Sequence, residues 1–236
     1  MPQDDDVTEL DEIVVIGQRR PAGSSGAYGG GGGRGTGAPD QYEIDDDPNP
    51  QPDGPGYDPC ATPEGAAAWN ADAAAAKAAQ DFMSEAIRAG GNDVGPRGPN
   101  MRNREWGAFL LKSSGRDIEV GTIIPGPEID WSDLTTDFSV DLTGANNANY
   151  MGDVHTHPGG SPLPSGEDWD NFLASNARAR NTPPGRPDET FYMYVITINP
   201  DGSIGTIHVY EDAPGDTDDP PPTEIGQEVN PNGRPC

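Results

Sequence analysis

The chain has 236 residues and carries 40 Asp and Glu against 14 Lys and Arg, a formal net charge of -26. That field repels phosphate backbones and anionic bilayers, which excludes nucleic acid as an expected partner, and no apolar run reaches the roughly 18 residues that a membrane span needs. The 32 Gly and 26 Pro crowd before position 65 and after position 212. This divides the chain into a Gly/Pro-rich acidic tail over 1–64, a domain over 65–212 and an acidic Pro-rich tail over 213–236, with both tails expected to be disordered.

Within the first tail, GAYGGGGGRGTGAP reads as a linker. DEIVVIGQRR at 11–20 resembles a short segment found near the start of several bacterial exported or envelope-associated proteins. Its β-branched Ile13, Val14, Val15 and Ile16 also suit a short docking strand, which is the preferred reading. The N-terminus is acidic where a secretory signal needs basic residues, so it does not read as a conventional signal peptide, and the location stays open between the bacterial cytoplasm and export without one. Cys60 and Cys236 lie in Pro-rich segments. They are read as free thiols in preference to a disulfide, because sequence spacing carries no geometry.

Thr62-Pro63-Glu64 predicts a helix start, with Thr62 as N-cap, and Gly90-Gly91 predicts its stop after Ala89. Trp69, Ala73, Ala76, Ala79, Phe82, Met83, Ala86 and Ile87 recur at helical spacing, one apolar stripe to lay on a sheet. EWGAFLLK (105–112) and DIEVGTII (117–124) predict a hairpin closed by SSGR. The polar stretch 125–149 reads as a long loop holding one short strand at Phe138–Leu142. A strand from Tyr150 ends at Pro158-Gly159-Gly160. Ser165 opens a helix to about Ala179, and ETFYMYVITI with SIGTIHVYE forms a last hairpin about Asn199-Pro200-Asp201-Gly202. The fold class is α+β, a mixed sheet flanked by helices.

The segment GDVHTHPGGSPLPSGED from Gly152 to Asp168 carries the chemistry. Positions two apart on a strand point to one side, so His155 and His157 can offer imidazoles to one metal while Thr156 faces away. Ser165 and Asp168 are three apart at a helix start, on neighbouring parts of one face. Two His and one Asp are three protein ligands, which leaves a tetrahedral ion one open position, the arrangement of a catalytic zinc. The same Ser-Gly-Glu-Asp also suits an N-cap with an acidic first turn. A deaminase needs His-x-Glu and a later Cys pair, both absent, and phosphoesterases opening with His-x-His use more histidines than His208 can supply.

His-x-His-Pro, then Ser-x-x-Asp, with a strand-borne Glu upstream, resembles the motif of the JAMM (JAB/MPN+) zinc metallopeptidases over about residues 66–211. The GDVHTHP and PSGED segments also resemble a bacterial JAB group of uncharacterised domains. The resemblance implies a JAB/MPN, cytidine-deaminase-like fold and a bound zinc ion (Zn2+) held by His155, His157 and Asp168. Glu105 takes the place of the catalytic base, Glu119 on the next strand is its rival, and Ser165 stabilises the oxyanion. It implies hydrolysis of a peptide or isopeptide bond in a protein or peptide substrate, such as a ubiquitin-like protein or a partner's tail, in a secreted effector or toxin module. The segment 125–149 falls where relatives carry a substrate-contacting insertion. The alternative is a JAB-fold module that binds a protein tail without cutting it.

Overall fold

The computed structural model describes residues 13–17, 59–113, 117–132, 138–142, 144–215, 220–230 and 236. Most of the tail expected over 1–64 lies outside them. Its apolar segment forms β1 (Ile13–Gly17). After a 3-10 turn at Pro59–Ala61 comes α1 (Pro63–Ala89), with the Thr62 side chain accepting the Gly65 N–H and Gly90 closing the far end through its N–H to the Ala86 carbonyl. A small ribbon of β2 (Val94–Gly95) and β3 (Gly98–Pro99) leads to β4 (Arg104–Lys112), β5 (Ile118–Val120), β6 (Ile124–Glu128), β7 (Phe138–Leu142) and β8 (Tyr150–His157). Then follow α2 (Gly166–Asn181), β9 (Phe191–Ile198), β10 (Ile204–Asp212) and β11 (Gln227–Glu228).

The protein is α+β, with one mixed seven-stranded sheet ordered β11-β10-β9-β8-β4-β5 and β6 beside β5 on the same edge of β4. Among the described strands only β8 and β9 pair in parallel, and α2 supplies the crossover that a parallel pair requires. Side chains alternate across the sheet, so each strand feeds two cores. Trp106, Ala108, Leu110, Val154, Tyr194 and Ile196 pack on the Ala-rich face of α1. Phe109, Phe191, Met193 and Val195 pack on Trp169 and Phe172 of α2. Small Ala side chains let α1 lie close to the sheet. Ile87, expected on its apolar stripe, instead points out and is 58% exposed.

Gly152 lets the central strands approach: it has φ +139°, and a Cβ there would stand 1.8 Å from the Tyr192 carbonyl oxygen on β9. The strand that bears both histidines is therefore seated directly against its neighbour.

Several expectations need correction. The second strand of the 105–124 hairpin breaks in two: the Gly121 N–H bonds the Phe109 carbonyl, and the chain then resumes as β6. Pro125-Gly126-Pro127, read as loop, belongs to that strand, which is tolerable because β6 is an edge and its prolines need not donate to a further neighbour. The tail expected to be disordered beyond 212 is docked in part at its described residues. β11 pairs with His208 and Val209 of β10, Val229 is buried, and Cys236 forms a disulfide with Cys60, Cα–Cα 5.6 Å, in place of two free thiols. Gly226 permits this docking, since a Cβ there would meet the Val209 carbonyl oxygen at 2.1 Å. No helix among the described residues is long and apolar enough to cross a membrane.

Candidate functional site

Glu105, His155 and His157 come together on the α2 side of the sheet. β4 and β8 are antiparallel neighbours with Gly107 opposite His155. Residues paired across strands share a face, so Glu105, two before Gly107, projects to the side taken by His155 and His157. One ligand atom from each of the three lies within 4.8 Å of the others, and all three residues are buried. The group could hold a metal ion.

Asp168 completes the cluster from the first turn of α2. Ser165 is the N-cap: its hydroxyl accepts the Asp168 N–H at 3.0 Å, and the Asp168 carboxylate accepts the Ser165 N–H at 2.7 Å, a reciprocal capping box. The same carboxylate oxygen, Oδ2, stands 3.5 Å from His157 Nε2 and 3.8 Å from His155 Nε2. Its other oxygen, Oδ1, is buried and accepts no hydrogen bond among the described residues. The N-cap and ligand readings of this segment are thus compatible.

The imidazoles are held from behind. His155 Nδ1 lies 3.1 Å from the buried Asp153 carboxylate, and His157 Nδ1 lies 2.9 Å from the Ser161 carbonyl. Both partners accept, so each Nδ1 carries the proton and each Nε2 keeps a lone pair in the neutral ring. Those two Nε2 atoms are 3.1 Å apart. Two ligands on a tetrahedral zinc with bonds of about 2.0–2.1 Å would be about 3.3 Å apart. The donor set and its spacing therefore fit such an ion.

The electrostatics favour a cation at this point. Burial lowers the His155 pKa, but the Asp153 hydrogen bond and the charges of Asp168 and Asp153 outweigh it, and the net shift is upward. Burial raises Asp168, and positive charge on His155, joined by that of a protonated His157 and by the Ser165 hydrogen bond, outweighs it, bringing it down to about 2. Asp153 moves up, chiefly by burial, with His155 opposing. A field that attracts a proton to His155 attracts a metal ion as well.

Asp153 is a site residue that sequence reasoning missed, although its place two before His155 on a strand put it on the ligand face. Glu119 points out from β5 and is exposed, away from this cluster. His208 bonds Thr206 and the Gly226 carbonyl on β10 and takes no part in it. Comparison with family models, with curated proteins and with solved structures gives no match, so the reading of this site rests on its own geometry.

Proposed function

We propose that the chain is a JAMM-type zinc metallopeptidase of JAB/MPN fold that hydrolyses a peptide or isopeptide bond. The observation that carries this reading is the meeting of Glu105 with His155 and His157 within 4.8 Å, and of Asp168 with the facing Nε2 atoms of those histidines, residues that occupy the motif's spacing in the sequence. His155, His157 and Asp168 would hold the ion. When bound, it supplies Lewis acidity, polarising the substrate carbonyl and lowering the pKa of water toward about 7.

Glu105 acts as the general base: it takes the proton of the attacking water and returns it to the leaving amine. Asp153 and the Ser161 carbonyl fix both imidazoles in the tautomer that leaves Nε2 free to coordinate. The Ser165 hydroxyl, whose oxygen accepts the Asp168 N–H, stands at the start of α2 beside Asp168, where it would stabilise the oxyanion of the tetrahedral intermediate. The polar stretch 125–149, which holds most of β6 and all of β7, would select a protein or peptide substrate. The Cys60–Cys236 disulfide supports maturation in an oxidising compartment, in keeping with an exported effector or toxin module.

A second reading is favoured by burial. Glu105 and His155 are 0% exposed, Asp168 1% and His157 7%. Catalytic zinc keeps an open position and structural zinc does not, so a protein-binding module with a closed metal centre is the alternative. Metal analysis of the full chain combined with a proteomic cleavage screen separates them. The enzyme reading expects zinc together with amide cleavage that is lost in Glu105→Gln, and zinc without cleavage leaves the binding module.

A further inference from the structure

The residue between the two histidines makes a contact that the reading above does not use. Thr156 is fully buried, and its hydroxyl accepts the Trp106 N–H at 2.9 Å. The backbone ladder between β4 and β8 runs to Gly107 opposite His155, and the next link toward the start of β4 is this hydroxyl. On the other edge of β4 the register with β6 slips between Arg104 and Trp106, where Gly126 and Pro127 of β6 bulge opposite the single residue Glu105. A bulge disrupts the ladder locally, so the residue opposite it is placed by its own neighbours in the chain.

Both neighbours of Glu105 are pinned. The Arg104 guanidinium bonds the buried Asp93 carboxylate at 2.9 Å, Glu128 at 3.1 Å and the Gly126 carbonyl at 3.0 Å. Trp106 is held by Thr156. Because side chains alternate, the Thr156 hydroxyl works from the α1 side of the sheet while His155 and His157 face α2, so it can tie the two strands without entering the site.

We infer that Thr156 is a positioning residue: through the Trp106 N–H it sets where the Glu105 carboxylate stands relative to the two histidines that flank Thr156. This rests on the reading of Glu105 as the base of a metal site. Valine has the shape of threonine and cannot accept the bond, whereas serine can.

The test uses the full chain with Thr156→Val, Thr156→Ala and Thr156→Ser, and cobalt(II) as the probe metal. Four quantities are read: cobalt stoichiometry, the visible cobalt spectrum, hydrogen exchange at the Trp106 amide, and kcat and KM for an amide substrate that wild type cleaves. All variants should bind one cobalt, since the ligands are untouched. In the Val and Ala variants the Trp106 amide should exchange faster and the cobalt bands should move in the direction given by Glu105→Gln. With the base displaced, kcat should fall by about 10 to 100-fold while KM stays within about threefold. The Ser variant should match wild type in every readout.

Thr156→Ala covers the case in which Thr156→Val does not fold, because the space it leaves admits water to the Trp106 N–H. A Val or Ala variant with the wild-type spectrum and rate overturns the inference, as does a Ser variant that behaves like Val. Loss of cobalt in a folded Thr156 variant also overturns it, assigning Thr156 to the ligands' support instead. Failure of wild type to bind cobalt overturns the metal reading itself and this inference with it, an outcome distinct from the others.

Discussion

His155 Nε2 faces His157 Nε2 at 3.1 Å, and each ring has already committed its Nδ1 proton, one to Asp153 and the other to the Ser161 carbonyl. Two lone pairs at that separation repel unless a proton or a cation stands between them. The Asp168 carboxylate is aimed at the same point, so the arrangement could hold a metal ion.

Removing any one of His155, His157 or Asp168 should therefore abolish tight zinc binding. His155→Ala, His157→Ala and Asp168→Ala are each expected to return well under one zinc per chain by metal analysis, beside about one for wild type, because a catalytic-type site has only three protein ligands to lose. Stoichiometric metal in all three would remove these residues from the ligand set.

Asp153→Asn should keep the fold and weaken the metal site. The carboxylate behind His155 raises the basicity of that ligand and fixes its tautomer, and losing such a partner typically costs about 10 to 100-fold in metal affinity. Competition with a zinc chelator measures the change. An unchanged affinity would make Asp153 a packing residue.

The disulfide gives a stability prediction. Cys60 precedes α1 and Cys236 ends the chain, 176 residues apart, and the Cys236 N–H bonds the buried Asn70 at the start of α1. Cys60→Ser should lower stability by about 2–4 kcal/mol, mostly by freeing the unfolded chain. Denaturant melts of the oxidised wild type and the variant measure it, and non-reducing mass spectrometry shows whether the bond is formed. Equal midpoints with the bond intact in wild type would contradict the expectation.

A pH effect should arise on the opposite face of the sheet. Asp72 on α1 accepts the Tyr194 hydroxyl at 2.8 Å, and its pKa is raised from 3.8 to about 6 by burial first, with Glu211 adding and the Tyr194 bond opposing. A carboxyl whose folded pKa lies above its unfolded value contributes stability that is complete below pH 3.8 and lost as the pH rises through about 6. Asp72→Asn keeps an acceptor for Tyr194 and removes the ionisation. Its Tm should fall less between pH 4 and pH 8 than that of wild type, and parallel pH profiles would exclude Asp72 as the source.

Local signals made much of this legible in the sequence. Thr62, Pro63 and Gly90 bound α1 because capping chemistry is local. His155 and His157 fall on one face because strand periodicity is local too. What escaped depends on partners distant in the chain. Pro125-Gly126-Pro127 has the composition of a loop and becomes a strand only because β4 offers an edge. Gln227–Glu228 has no strand signal of its own and pairs because Val229 finds a place in the core and Cys236 finds Cys60. Asp153 was visible beside His155, but its role follows from the 3.1 Å contact and not from its type.

Native mass spectrometry of the full chain and of Glu105→Gln after equilibration with zinc, paired with hydrolysis of the same amide substrate, tests the central claim most directly. The expected result is one zinc on both proteins, with turnover in Glu105→Gln lower by about 100 to 10,000-fold, the range a general base contributes. Loss of zinc from Glu105→Gln would make Glu105 a ligand and not the base. A wild-type chain that takes up no zinc would contradict the metal centre altogether.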